Sequence, residues 1–153
     1  MLDIRRATMD DLDALVQLRL DLLREVGNLT GDAHTAELAE ATRTYLAAKL
    51  PTGEFAAWVA EVDGLLVATS GLMLYERPPT AGNPSGIEAY VMNMYTVPEW
   101  RGKGVAPALL REIISFVRDS GARRIWLRAT EAGKSIYVKA GFVPTASYME
   151  LVI

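Results

Sequence analysis

The sequence predicts a single α/β domain, an α+β sandwich in which helices cover the faces of a mixed β-sheet. Three observations lead there. The chain has 153 residues, close to the commonest size for one domain, and no repeat, low-complexity tract or linker divides residues 1–153. Half of it is apolar (50%), enough for a core that needs no disulfide or metal staple. Its hydrophobic period also changes along the chain, from helical to strand-like and back, giving the order β, α, α, three β, α, β, α and terminal β.

Leu2 to Ala7 is a short opening strand. Thr8 with Asp11 three positions on reads as a helix N-cap, and Leu12, Leu15, Val16, Leu22, Leu23 and Val26 recur at helical spacing until Gly27. After the polar break from Asn28 to Asp32, a second helix is expected over Ala36 to Lys49, stopped before Pro51. Phe55 to Val62 and Leu65 to Tyr75 are rich in β-formers and flank Asp63-Gly64, a two-residue hairpin signal. Arg77 to Gly86 is a Pro/Gly-rich loop. Ile87 to Val97 is apolar enough for a central strand, and Pro98 ends it because it has no N–H to give a ladder. Helical spacing returns over Val105 to Val117 and stops at Gly121; Ile125-Trp126-Leu127 is a short strand; Ser135 to Lys139 is a short helix closed by Gly141. Phe142-Val143 and Tyr148 to Ile153 are expected as final strands. Strand, long helix, strand from 87 to 127 implies a parallel pair.

Composition removes several function classes. The chain has no cysteine, so disulfide frameworks, thiolate metal sites and thiol catalysis are excluded. One histidine, His34, argues against a His-built metal centre or a Ser-His-Asp triad. Sixteen basic against nineteen acidic residues, a net charge of −3, argues against a polyanion binder. The N-terminal residues carry no apolar leader and no long apolar span follows, so a cytoplasmic location is expected, without membrane or nucleic acid.

The stretch that carries chemistry is Val97-Pro98-Glu99-Trp100-Arg101-Gly102-Lys103-Gly104-Val105-Ala106, between a central strand and a helix start. Glycines let the backbone approach a ligand closely, and the first N–H groups of a helix lack internal partners, so the junction suits an anion such as phosphate. Arg101 and Lys103 add positive charge. A Walker loop and a Gly-x-Gly-x-x-Gly fingerprint are both absent.

Arg101-Gly102-Lys103-Gly104-Val105-Ala106 resembles the Arg/Gln-x-x-Gly-x-Gly/Ala signature of the GNAT superfamily of acyl-CoA-dependent N-acyltransferases. The segment Ile136-Tyr137-Val138-Lys139-Ala140-Gly141-Phe142 is similar to that family's Leu-Tyr-x-x-x-Gly-Phe. The order of elements agrees with the family over the whole chain. The resemblance implies a mostly antiparallel sheet with one splayed parallel pair, here Ile87–Val97 and Ile125–Ala129, and acetyl-CoA as co-substrate in the splay. It implies pantetheine contacts from the backbone of Met94, Tyr95 and Thr96, and a pyrophosphate held by N–H groups of Arg101, Gly102, Lys103, Gly104, Val105 and Ala106. It also implies Tyr137 as the acid that protonates the departing CoA thiolate, a role suited to a phenol with a pKa near 10.

The chain departs from the family at two places. Some members carry a basic glutamate on the strand after the long helix, where this chain has Arg128. Many have a CoA-contacting asparagine before the last helix, where this chain offers Thr130 or Ser135. The candidates for the general base are Glu88, Glu131 or a water chain. The expected reaction is direct, sequential transfer of acetyl from acetyl-CoA to a primary amine, small molecule or peptide, with no metal. A homodimer is compatible with it. A non-catalytic acyl-CoA-binding sensor or regulatory module is the alternative, which the missing acid on the last parallel strand favours.

Overall fold

The computed structural model describes residues 1–153 and contains five strands and four α-helices. They are β1 (Asp3–Arg6), α1 (Leu12–Glu25), α2 (Thr35–Lys49), β2 (Phe55–Val62), β3 (Leu65–Glu76), β4 (Ile87–Thr96), α3 (Val105–Asp119), β5 (Ile125–Leu127) and α4 (Lys134–Lys139). Strand order is β1-β2-β3-β4-β5. The first three pairings are antiparallel and β4–β5 is parallel.

Local chemistry sets most boundaries. Thr8 and Asp11 form the expected capping box, which opens a short 3-10 turn leading into α1. Asp63 and Gly64 both take positive φ (49° and 81°), the backbone a tight two-residue hairpin needs for its strands to keep their right-handed twist. β2 is buried on both faces from Phe55 to Ala60, which marks it as an interior strand with helices on either side.

Two apolar layers result. On one face α3 packs Val105, Leu109, Ile113 and Val117 onto Trp58, Ala68, Leu72, Ala89 and Val91. On the other, Leu15, Val16, Leu20 and Leu46 of α1 and α2 pack onto Phe55, Ala57 and Val59. The apolar face of α3, from its N-terminal Val105 on, is therefore fixed against the sheet's centre, which positions the glycine-bearing junction before it.

The final strands do not form. Residues after Lys139 join no ladder, and Val143, Tyr148, Met149, Leu151, Val152 and Ile153 are exposed. β5 is only three residues long, so its outer edge offers few backbone groups to pair, and Pro144 removes a donor from the segment that would pair with it. That edge instead borders a groove of about 700 Å³.

Candidate active site at the splay of β4 and β5

The parallel pairing of β4 with β5 covers only Ala89↔Ile125, Tyr90↔Trp126 and Val91↔Leu127. Beyond Val91, β4 continues alone for five residues on its β5 side, leaving a gap edged by unpaired backbone. A bulge falls at its mouth: on β3, Thr69 to Gly71 spans two steps, whereas the facing residues of β4, Tyr95 and Met92, are three apart. Asn93 sits in this bulge with φ +56°, a left-handed conformation that Asn tolerates better than most side chains.

Backbone alternation decides which groups face the gap. Val97 N–H donates to Val67 O at 2.9 Å, so Thr96 points its N–H and C=O away from β3, Tyr95 points toward β3, and Met94 points away again. Of the three residues expected to meet pantetheine, Met94 offers its backbone and Thr96 its N–H to the gap, while Tyr95 is turned to its partner Thr69. Tyr95 is buried beneath α1, and burial, with Asp21 and Glu25 nearby, pushes its phenol upward.

The junction after β4 is an open turn built on two positive-φ glycines. Gly102 and Gly104 take φ of +72° and +79°, and a Cβ at either would meet nothing within 4 Å. Open space lies where a ligand's phosphates would approach. The N–H groups of Gly102, Lys103 and Gly104 have no acceptor in the protein, and those of Val105 and Ala106 open α3, where a helix has no internal partner to give them. Arg101 differs from this picture. Its N–H already donates to Pro98 O, and its side chain donates to Thr96 O at 2.9 Å, pairs with Glu25 of α1 at 2.7 Å and lies over the Tyr95 ring. Arg101 thus ties the junction to α1 and to the end of β4 instead of presenting a free cation. Lys103 packs its ammonium over the Trp100 ring.

On the other side of the gap, Thr130 accepts from Gly133 N–H through both its carbonyl and its hydroxyl oxygen, holding the turn that leads into α4. Ser135 is exposed and its hydroxyl is free. Tyr137, on α4, is half-buried against the edge of Phe142 and lines the β5 groove. Its hydroxyl has no partner, and burial raises its pKa above the ordinary phenol value, so it stays protonated across the physiological range. The groove itself includes none of residues 101–106; the phosphate cradle is open surface.

Glu88 is placed elsewhere. It lies near the start of β4, six residues before Met94, or roughly 20 Å along a strand at about 3.3 Å per residue. Its carboxylate accepts from Tyr75 Oη at 2.8 Å and pairs with Arg77 at 3.3 Å and Arg124 at 3.1 Å. Burial would raise its pKa, but the Tyr75 hydroxyl and the two guanidiniums outweigh burial and hold it below the usual carboxylate range. It is a structural anion tying β3, β4 and β5 together, and the expectation of Glu88 as general base gives way on both distance and occupancy. Glu131 is exposed beside the groove. His34 is exposed at φ +65° and reaches only Glu37.

Sequence reading missed Arg19. From α1 its guanidinium donates to the Asn93 side chain in the bulge, a contact between residues 74 apart in the chain. No local pattern announces it beyond an arginine among the apolar positions of an amphipathic helix. No group of three or more His, Cys, Asp or Glu side chains is gathered anywhere in the protein, and no helix is long and apolar enough to cross a membrane.

Residues 53–144 match the model of the acetyltransferase (GNAT) domain. A mouse protein named probable N-acetyltransferase family 8 member 5 is 32% identical over 120 residues, covering 76% of this chain and 49% of its own length; the chain thus spans about half of that relative. Among solved structures, a predicted acetyltransferase of Clostridium acetobutylicum crystallised with acetyl-CoA superposes with a TM-score of 0.88 at 31% identity, over 99% of this chain and 96% of its own. A GCN5-related N-acetyltransferase from Ralstonia eutropha superposes at 0.87 with 28% identity, over 99% of both chains.

Proposed function

Since the chain belongs to the GNAT acetyltransferase family, we propose that it transfers acetyl from acetyl-CoA directly to a primary amine, without an acyl-enzyme intermediate. The observation that carries this is the run of partnerless N–H groups from Gly102 to Ala106, opening into free space beside the unpaired end of β4. That arrangement suits a pyrophosphate at one end and an extended amide-bearing arm along the strand. It accords with the acetyl-CoA held by the Clostridium relative.

Acetyl-CoA supplies an acyl group activated as a thioester. Met94 offers its outward N–H to the thioester carbonyl, polarising it and stabilising the charge that develops on oxygen when a neutral amine attacks. Tyr137 donates its phenolic proton to the sulfur as the C–S bond breaks; a thiol is the stronger acid, so the phenolate left behind is reprotonated by the proton that the attacking amine gives up. The chain has no cysteine, so a covalent acyl-cysteine has no nucleophile. With Glu88 committed to arginines, the amine's proton passes to Glu131 or to a water chain. The acceptor is a small molecule or a peptide.

The absence of a carboxylate on the unpaired stretch of β4 or at Arg128 favours one second reading, an acyl-CoA-binding module without catalysis. Calorimetry with acetyl-CoA, followed by a thiol-release assay against mixed amines, tests both. Binding with acceptor-dependent thiol release is the expected result. Binding with no release for any amine would leave the module, and no binding would remove both readings.

A further inference from the structure

We infer that Arg19 is a binding site for a carboxylate on the acceptor, so that the amine acetylated belongs to a free amino acid or a close derivative. This rests on the reading above for where the acyl group lies, and deepens it by naming the acceptor's chemistry.

Arg19 carries a charge that no side chain compensates. Arg19 is partly buried among α1, α2 and the sheet, in surroundings that include Leu15, Leu46, Phe55 and Gly71. Every ion pair of the protein leaves it out. Its one hydrogen-bond partner is the neutral amide oxygen of Asn93, although a guanidinium has five N–H donors. Burial accordingly pushes its pKa down, with only the Tyr45 phenol opposing and no carboxylate near enough to contribute. A buried cation without an anion is costly to keep. Arg5 shows how this chain satisfies an arginine of structural purpose: it is bidentate to Asp11 and bonded to Glu61.

The position of this charge gives it meaning. Asn93 immediately precedes Met94, whose N–H faces the gap, and adjacent Cα atoms lie about 3.8 Å apart. An anion held by Arg19 and the Asn93 side chain is thus bound at the residue next to the N–H that polarises the thioester, which suits a carboxylate close to the acceptor's amine. The fork geometry of a guanidinium fits a carboxylate through two parallel hydrogen bonds. Asn93 accepts from Arg19 through its oxygen, so its amide N–H groups stay free to donate to the same carboxylate. Asn93 makes this contact with α1 from a left-handed backbone.

The test compares each of the twenty amino acids with its carboxamide as acceptor, measuring thiol release from acetyl-CoA. For the best acids, kcat/KM is expected to exceed that of the carboxamide at least about tenfold, the scale of one charge-assisted hydrogen-bond pair. Arg19→Gln should erase most of that ratio by lowering activity on the acids alone, while acetyl-CoA binding by calorimetry stays as in wild type. Wild-type turnover of carboxamides or simple neutral amines as fast as the acids would overturn the inference and leave the acetyltransferase reading intact; this arm does not depend on the variant folding. If acetyl-CoA fails to bind, the reading itself falls. Thermal protection of the wild type by the amino acids against their carboxamides then decides Arg19 alone: selective protection supports a carboxylate site, and equal protection or none overturns it.

Discussion

The two ends of β4 treat polar groups in opposite ways. At its start, Glu88 is buried at 7% side-chain exposure and is met by a hydroxyl and two guanidiniums, while Trp126 Nε1 donates to the same Tyr75 hydroxyl at 2.6 Å. Every charge there is answered within the protein. At its far end the N–H groups of residues 102 to 106 and most of the Arg19 fork have no partner. The N–H groups of residues 102 to 104 are exposed to water, whereas the Arg19 fork is partly buried with only a neutral partner, and a buried cation short of partners is costly. The lesson is general: a satisfied buried charge speaks for architecture, an unsatisfied cluster for binding. If the division is right, substitutions at the far end alter function with little loss of stability, and those at the start do the reverse.

The largest effect is expected at Gly104. Gly104→Asp sets a carboxylate into the open space where phosphate would sit, and like charges brought together cost several kcal/mol. Acetyl-CoA affinity should fall at least about 100-fold by calorimetry. Its φ of +79° strains any residue with a Cβ, so about 1 kcal/mol of stability should go with it. Undiminished affinity would place the phosphates elsewhere and break the comparison at its functional end.

Tyr137→Phe keeps the ring and its contact with Phe142 but deletes the proton donor. General acids contribute on the order of 10²–10⁴-fold; turnover should fall at least about tenfold, with thermal stability and acetyl-CoA affinity nearly unchanged. Because burial raises the phenol's pKa, the wild-type rate should show no alkaline loss from this group below about pH 10. Single-turnover kinetics separates a lost proton transfer from a change hidden behind slow product release, and a normal chemical step in the variant would retire the assignment.

Glu88→Gln probes the other end. It leaves two guanidiniums and the Tyr75 hydroxyl facing a neutral amide. Since Arg77 and Arg124 keep side-chain exposures of 52% and 47%, water softens the loss to about 1–3 kcal/mol. Chemical denaturation should register that loss while acetyl-CoA binding is unchanged. The sign with pH is fixed by the lowered pKa: the contribution is complete above the unfolded carboxyl's pKa of about 4.3 and fades as pH falls through the folded one. Wild type should therefore lose stability more steeply than the variant on acidification.

The smallest effect belongs to Ser70, in the middle of β3 opposite the bulge. Its hydroxyl is fully buried and has no partner. Ser70→Ala removes an unpaired polar atom, so stability should stay within about 0.5 kcal/mol of wild type or rise. A clear loss would show that the hydroxyl is engaged.

Much of this molecule was legible in its sequence. Thr8 with Asp11, Asp63-Gly64, Pro98 and the apolar spacing of α3 act through neighbours one to four residues away, and such signals survive without knowledge of the fold. The RGKGVA junction was legible for the same reason: positive-φ glycines and an open helix start are local properties. Other readings failed where local preference met a distant constraint. The β-formers of Tyr148–Ile153 found no strand, because a three-residue β5 gives them little to pair with. Arg101 looked like a phosphate ligand, yet Glu25, on a helix far earlier in the chain, holds its guanidinium.

The sequence by itself determined the elements up to the last helix, the mixed sheet and the glycine-bearing turn before α3, all of which follow from periodicity and backbone freedom over a few residues. Only the tertiary structure decided which charges are answered. Glu88 and Arg19 each look like an exposed charge among apolar neighbours in the sequence. Packing brings Arg124, 36 positions away, onto the first, and brings to the second only a neutral amide 74 positions away. Coulomb and desolvation energies depend on distance and burial in space, so the difference between a structural anion and a cation without an answering charge is written in the fold alone.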